Sequence, residues 1–120
     1  SEFGYQAGLA IAENPDVSAV FAANDQMALG AMHACHRVGL RIPEDVSIVS
    51  FDDCAEIENY DPPISAIRQF PYKVGYSACK MLIGVLEGDA KTRKPQTLMI
   101  ETEFMERSSM ASAASRRGQG

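Results

Sequence analysis

Two short segments, AANDQMALGA at residues 22–31 and SIVSFDD at residues 47–53, decide the fold class of this chain. In each, an apolar run gives way abruptly to polar side chains, Asn24 and Asp25 in the first and Asp52 and Asp53 in the second. Ligands of open α/β sheets bind outside the carboxyl ends of the strands. The two ends therefore predict half of a small-molecule cleft, an architecture more typical of a receptor than of an enzyme.

Helical and extended patterns alternate around these segments. Helices are predicted at residues 5–13, 25–38 and 72–86, with a short helical turn at 54–60. Strands are predicted at residues 17–23, 46–50, 64–68 and 96–106, the first two as buried parallel strands. This alternation predicts an α/β fold, a three-layer parallel sheet with helices on both faces. Residues 108–120, rich in Ser, Ala, Arg and Gly, are predicted to be a disordered tail.

The composition excludes several classes of function. A net charge of −5 argues against a nucleic-acid-binding surface, because binding to phosphate requires a basic face. No apolar run has the length of a membrane span. The three widely spaced cysteines, Cys35, Cys54 and Cys79, fit a reduced cytosolic protein better than a disulfide framework.

Four motifs in order resemble the lac repressor (LacI/GalR) family of sugar-responsive transcriptional regulators. They are FAANDQMALGAM at 21–32, GLRIPEDVSIV at 39–49 followed by FDD at 51–53, PPISAIRQ at 62–69, and TEF at 102–104 leading into RSS at 107–109. The resemblance implies one lobe of a periplasmic-binding-protein-like fold. Residues 1–107 would form most of the C-terminal effector-binding lobe, together with the segment that crosses to the first lobe.

The resemblance also implies a function. The chain would be the ligand-sensing part of a cytoplasmic regulator that binds a small, sugar-like effector in the cleft between two lobes. A homodimer would couple the effector to operator affinity, and DNA would be bound only by an N-terminal headpiece outside this chain. Neither a cofactor nor chemistry on the ligand is expected, so the protein is predicted not to be an enzyme.

The resemblance points to Asp52, Asn24, Phe51 and Gln69 as the residues that contact the effector. A carboxylate at Asp52 can accept from two adjacent hydroxyls, and the Asn24 amide can both donate and accept. The alternatives are structural. Asp52 and Asn24 could be helix caps, Phe51 a core residue and Gln69 a solvated amide of a loop.

Two neighbours of Asp52 carry separate expectations. Asp53 is predicted to order the loop rather than to touch the ligand. Ser50 stands where the family usually has Gly, so its hydroxyl would either narrow the pocket or add a hydrogen bond.

His33, Cys35 and His36 are close in sequence and raise the possibility of a metal site. Cys35 belongs to the apolar stripe of its helix, however, and the sequence offers no complementary pair of ligands. No metal is therefore predicted. The face that carries Leu29, His33 and His36 is interpreted as a dimer seam instead. The resemblance implies that this helix and the loop around Tyr60 form the subunit interface, with Leu29, His33 and Tyr60 in the seam.

Two other classes of function remain as alternatives. A periplasmic solute-binding protein of a sugar transporter shares the two-lobed fold, although such receptors usually act as monomers. A metal-dependent hydrolase or phosphotransferase could use Asp52 and Asp53, but adjacent residues of an extended strand point to opposite faces. The sequence contains no GxxxxGK[ST], GxSxG or HExxH motif.

The helix predicted at 72–86 has an apolar face. Its members are Val74, Ala78, Met81, Leu82 and Val85. This face is expected to pack against the first lobe, and exposed apolar patches of this kind drive association. The chain alone is therefore predicted to dimerise, to swap segments or to pack this helix elsewhere.

Overall fold

The computed structural model describes residues 1–113, and the chain divides into two compact units. Among the described residues, the first unit contains residues 1–68 and 103–113, and the second contains residues 69–102. None of the helices in residues 1–113 combines the length and the apolar character that crossing a bilayer requires.

The first unit is a four-stranded sheet with three helices. Its elements in chain order are α1 (Glu2–Ala12), β1 (Ala19–Ala22), α2 (Asp25–Arg37), β2 (Ser47–Phe51), α3 (Ala55–Glu58), β3 (Ser65–Arg68) and β4 (Glu103–Met105). The strands lie in the order β1-β2-β3-β4, with β1, β2 and β3 parallel and β4 antiparallel to β3. The second unit contains α4 (Pro71–Glu87) and a 3₁₀ turn at Ala90–Thr92.

The core of the first unit lies on the face of the sheet that packs against α2. Ala22, Ile48 and Ala66 point from neighbouring strands into this core, which also includes Met32 of α2 and Ile57 of α3. The α/β fold class with a mostly parallel sheet is thereby confirmed. One difference concerns the helix layers. The sequence predicts helices on both faces of the sheet, whereas α1 packs on α2 and the buried side chains of α2 and α3 enter this one core.

Helix α2 begins and ends where the sequence predicts. The Oδ1 atom of Asn24 accepts a hydrogen bond from the backbone N–H of Met27 at 2.8 Å and caps the first turn. Gly39 has a φ of +82°, the left-handed conformation that glycine adopts without steric cost just after a helix.

Glycines bring α1 into backbone contact with α2. A Cβ added at Gly30 would lie 2.6 Å from the carbonyl oxygen of Ser1 and 2.8 Å from the backbone nitrogen of Tyr5. A Cβ at Gly8 would lie 2.5 Å from the Cβ of Ala34. The separation of the two helices is therefore set by residues without side chains.

The extended segments differ from expectation in two places. The strand predicted at 96–106 is reduced to Glu103–Met105, because β3 is the only strand in residues 1–113 beside it and pairs over three positions. The strand predicted as buried at 17–23 is β1, at the edge of the sheet, where Phe21 is 64% exposed. Its burial was wrongly predicted because an apolar run does not reveal whether a strand lies at an edge.

The chain remains ordered beyond Ser108, where a disordered tail is predicted to begin. Ser109 is fully buried, donates its hydroxyl to the carbonyl of Ile48 and accepts from the backbone N–H of Ser65 at 2.8 Å. Because Ser109 bridges β2 and β3, the structure does not place this residue in a disordered tail. Residues 114–120 of the predicted tail lie outside the described residues.

Substitution of Gly30 by Ala should destabilise the first unit by about 2 kcal/mol, because the added methyl group overlaps the backbone of α1. The matched control is Gly75→Ala in α4, where nothing lies within 4 Å of the added Cβ. The control should leave stability unchanged or raise it by up to about 1 kcal/mol through helix propensity. Urea unfolding of both variants measures the difference, and equal midpoints would contradict the close contact.

Candidate functional site

The carboxyl ends of the parallel strands carry the polar residues singled out in the sequence. Asn24 follows β1 and Asp52 follows β2, and both lie at the same edge of the first unit because the strands are parallel. Phe51 is the last residue of β2. Gln69 directly follows β3 and is the first residue of the second unit. The first unit therefore brings Asn24, Phe51 and Asp52 to one edge.

Asp52 has an unusual backbone conformation. Its φ is +78°, a left-handed value that is rare for residues other than glycine and better tolerated by Asp and Asn than by most. Its backbone N–H donates to the carbonyl of Ile67 at 3.0 Å, which ties it to the end of β3. The side chain of Asp52 is half-buried.

Ser50 supports this turn from inside the protein. Its side chain is fully buried, and its hydroxyl lies 2.9 Å from the carbonyl oxygens of both Phe51 and Asp52. Of the two outcomes expected for serine in place of glycine, the structure shows the added hydrogen bond.

Asp53 forms a buried ion cluster with two arginines. Its carboxylate, 2% exposed, accepts from Arg107 at 2.7 and 3.0 Å and from Nε of Arg68 at 2.8 Å. Arg107 also donates to the carbonyl of Ile64 at 2.8 Å. The hydrogen bond from Arg107 is the main reason why the pKa of Asp53 lies below its usual range. The cluster agrees with the expectation that Asp53 orders the loop.

Asn24 and Phe51 both have structural partners. The side-chain oxygen of Asn24 is occupied by the helix cap described above, so the structural alternative for Asn24 is present in the molecule. The ring of Phe51 meets that of Phe21 edge to face, with centroids 6.5 Å apart. Phe51 is half-buried and belongs to the face of the sheet opposite α2.

Cys54 lies directly after the cluster and has a neutral thiol at physiological pH. Burial raises its pKa to about 11, and hydrogen bonding with Glu56 and Asp25 adds to the shift. A thiol with such a pKa is a poor nucleophile. Cys54 therefore belongs to the packing of the turn rather than to any reactive centre.

The residues predicted to form a dimer seam lie on one side of the first unit. The rings of His33 and Tyr60 are in contact, with centroids 5.3 Å apart. Leu29 and Tyr60 are half-buried against the core, and His33 is exposed. Cys35, by contrast, is fully buried. No group of three or more potential metal ligands is found in residues 1–113.

The second unit contains a groove of about 670 Å³ between α4 and the segment that follows it. Its lining includes Tyr76, Met81, Val85 and Leu98 together with the cationic Lys80 and Arg93. No residue of α4 is fully buried. On the apolar face predicted for this helix, Met81 and Val85 are half-buried beside the groove, whereas Val74, Ala78 and Leu82 are exposed.

The sequence patterns do not identify Arg68 and Arg107, the two arginines that bind Asp53. Each is a basic residue near the end of a short strand, which is an ordinary solvated position in most sheets. The pairing with Asp53 spans 15 and 54 residues of chain, and local patterns carry no signal for it.

The ion cluster makes the stability of the first unit dependent on pH. A carboxyl whose pKa is lower in the folded than in the unfolded chain stabilises the fold above the unfolded pKa, about 3.9, and loses this effect as pH falls through the folded pKa. At neutral pH, Asp53→Asn should cost about 3 kcal/mol by leaving two arginines without their partner. Urea unfolding at pH 7 and pH 3 should show that difference shrinking at low pH. An equal difference at both values would contradict the assigned role of the cluster.

The chain matches known proteins over most of its length. Residues 3–110 match the family model described as a periplasmic binding protein-like domain. The chain is 35% identical over 113 residues to the HTH-type transcriptional regulator CelR of Thermobifida fusca, covering 90% of this chain and 33% of that protein. It thus spans about a third of the length of this relative.

Solved structures give the same result. A complex of the transcriptional regulator CelR with cellobiose aligns with a TM-score of 0.75 at 34% identity, covering 88% of this chain and 33% of that one. A lac repressor dimer bound to operator and the anti-inducer ONPF aligns with a TM-score of 0.79 at 31% identity, covering 91% and 37%. These relatives confirm the resemblance to the LacI/GalR family, and the chain belongs to the periplasmic binding protein-like domain family.

Proposed function

We propose that this chain is the ligand-sensing part of a sugar-responsive transcriptional regulator that binds a small effector at the carboxyl edge of its parallel sheet. The observation that carries the proposal is the turn at Asp52, which follows the central strand β2 and has a left-handed backbone conformation. Hydrogen bonds with neighbouring residues hold the backbone of Asp52 in this conformation. The similarity to a regulator in complex with cellobiose supports a sugar as the effector. The proposed activity is binding alone, without any chemical change of the ligand and without a cofactor.

The proposed contacts follow from the chemistry of the edge. The carboxylate of Asp52 would accept from adjacent sugar hydroxyls, since ionised carboxylates are acceptors only. The Oδ1 atom of Asn24 caps α2, so its Nδ2 amide would donate to the effector. The ring of Phe51 would cover an apolar face of the sugar, and Gln69, which follows β3, would add a further amide.

The division of the chain supports the proposed lobes. Residues 1–107 would be the C-terminal lobe together with a segment that crosses to a first lobe outside this chain, and the second unit, residues 69–102, matches such a segment. The exposed apolar side chains of α4 would pack against that first lobe. DNA would be bound only by a headpiece, in accord with the net charge of −5 of this chain.

A homodimer would transmit the effector signal. An effector that binds two arrangements of the lobes with different affinity shifts the equilibrium between them. The seam would be formed by Leu29, His33 and Tyr60, where the exposed imidazole of His33 lies tilted at 53° to the half-buried ring of Tyr60. The lac repressor structure that aligns with this chain is itself a dimer.

A solute-binding protein of a transporter is the competing function. The similarity to HTH-type regulators and to a repressor bound to operator favours a regulator, and with it a cytoplasmic protein.

Asp52→Asn should weaken the binding of cellobiose to the full chain at least about tenfold, because charge-assisted hydrogen bonds to sugar hydroxyls are lost. Half of a cleft buries little of a small ligand, so the wild-type Kd should lie above about 1 mM. Amide shifts of ¹⁵N-labelled chain during titration report such weak binding residue by residue. Asp16→Asn, an exposed aspartate before the amino end of β1, serves as the matched control. Equal affinities of the two variants would refute the site.

His33→Glu should raise the dissociation constant of the dimer about tenfold or more, because it places an unpaired charge in the proposed seam. His33 is exposed, so the substitution leaves the core intact. Leu82→Glu on the exposed face of α4 tests the other association surface. Sedimentation equilibrium of the three proteins distinguishes the two surfaces. Dissociation by Leu82→Glu alone would assign association to α4 and reject the seam.

A further inference from the structure

The carboxylate of Asp53 joins three strands at one point. Asp53 follows β2 by two residues, Arg68 is the last residue of β3, and Arg107 lies two residues beyond the end of β4. Oδ1 of Asp53 accepts from Arg107 at 2.7 Å, and Oδ2 accepts from Arg107 at 3.0 Å and from two nitrogens of Arg68 at 2.7 and 2.8 Å.

These strands have a special position along the chain. Arg68 is the last residue of the first unit before the chain enters the second, and Glu103 is the first residue after it returns. Arg68 therefore lies at the exit, where it pairs with Glu103 across β3 and β4. Arg107 lies beyond the other end of β4, where it donates hydrogen bonds to Ile64 and Ser65 at the start of β3.

The same carboxylate adjoins the proposed effector residue. Asp52 has a φ of +78°, and a left-handed non-glycine residue persists when its surroundings hold it. The backbone N–H of Asp52 donates a hydrogen bond to the carbonyl of Ile67, next to Arg68. The carbonyl of Asp52 accepts a hydrogen bond from the hydroxyl of Ser50. Asp53, the residue that follows the strained position, is thus anchored by Arg68 to the same end of β3 that holds the Asp52 N–H.

We propose that Asp53 is a positioning residue, which fixes the effector carboxylate of Asp52 and couples it, through Arg68, to the strand end at which the chain leaves the first unit. This inference rests on the proposed function for the meaning of Asp52. The effector itself would not touch Asp53, whose carboxylate is almost fully covered by the arginines.

A matched comparison is available in the same unit. Arg41 and Asp45 also form an arginine–aspartate pair, at 3.1 Å, with Asp45 buried. This pair lies within the loop between α2 and β2, at the opposite end of β2 from Asp52. Asp45→Asn therefore reports the cost of losing an ion pair without any effect on the effector edge.

The decisive measurement is amide hydrogen exchange in the full chain. Leu40 serves as the internal reference, because its N–H donates a hydrogen bond to the carbonyl of Cys35 near the end of α2. In Asp53→Asn, the amides of Asp52 and Arg107 should exchange about tenfold faster relative to Leu40, as a local hydrogen-bond network is lost. In Asp45→Asn these ratios should remain those of the wild type. A uniform increase at all sites would show a merely structural role and overturn the proposal.

Arg68→Gln provides a second variant should Asp53→Asn fail to fold, because Arg68 is partly exposed and Arg107 still pairs with Asp53. It should accelerate the exchange of Asp52 relative to Leu40, and an unchanged ratio would reject the proposal.

Titration with cellobiose completes the test. Asp53→Asn should weaken binding about tenfold while Asp45→Asn leaves it unchanged, and equal binding by all three folded proteins would overturn the positioning role. Absence of binding by the wild type would instead refute the proposed function, and the exchange ratios would still decide whether Asp53 positions Asp52.

Discussion

Burial of the Asp53 charge is the constraint on which much of the first unit depends. Removing a carboxylate from water costs several kcal/mol, and only well-placed opposite charges and hydrogen bonds offset that cost. Here the donors come from Arg68 at the end of β3 and from Arg107, two residues beyond β4. The short strand β4 is consequently held to β3 by more than its three-residue ladder, and the C-terminal segment continues from Arg107 to the buried Ser109.

The carboxyl edge of the sheet was predictable because it follows from local signals. Apolar runs that end in Asn24 and in Asp52 mark strand ends, and the cap at Asn24 and the glycine after α2 mark the helix between them. Parallel pairing then places the ends together without any further information. Hydrophobic periodicity and turn residues were therefore enough to predict which residues lie at the carboxyl ends of the parallel strands.

The remaining features depend on contacts between distant parts of the chain. Nothing local distinguishes Arg107 from a solvated arginine, or Ser109 from the polar residues of a tail. The edge position of β1 and the shortness of β4 depend on which strands lie beside them. Ser50 was only partly predictable. The serine in place of the usual glycine indicated a local change, but only the geometry of the turn shows that its hydroxyl lies close to the carbonyls of Phe51 and Asp52.

Helix α4 has seventeen residues, none of them buried. A helix of this length with so little buried surface is marginal in water, since most helical stability in proteins comes from an apolar face that is covered. If the proposed first lobe covers α4, the conformational entropy lost on ordering the helix lowers the net affinity of that docking. Helix propensity at exposed positions such as Gly75 and Gly84, where an added Cβ meets nothing within 4 Å, would then adjust the strength of docking.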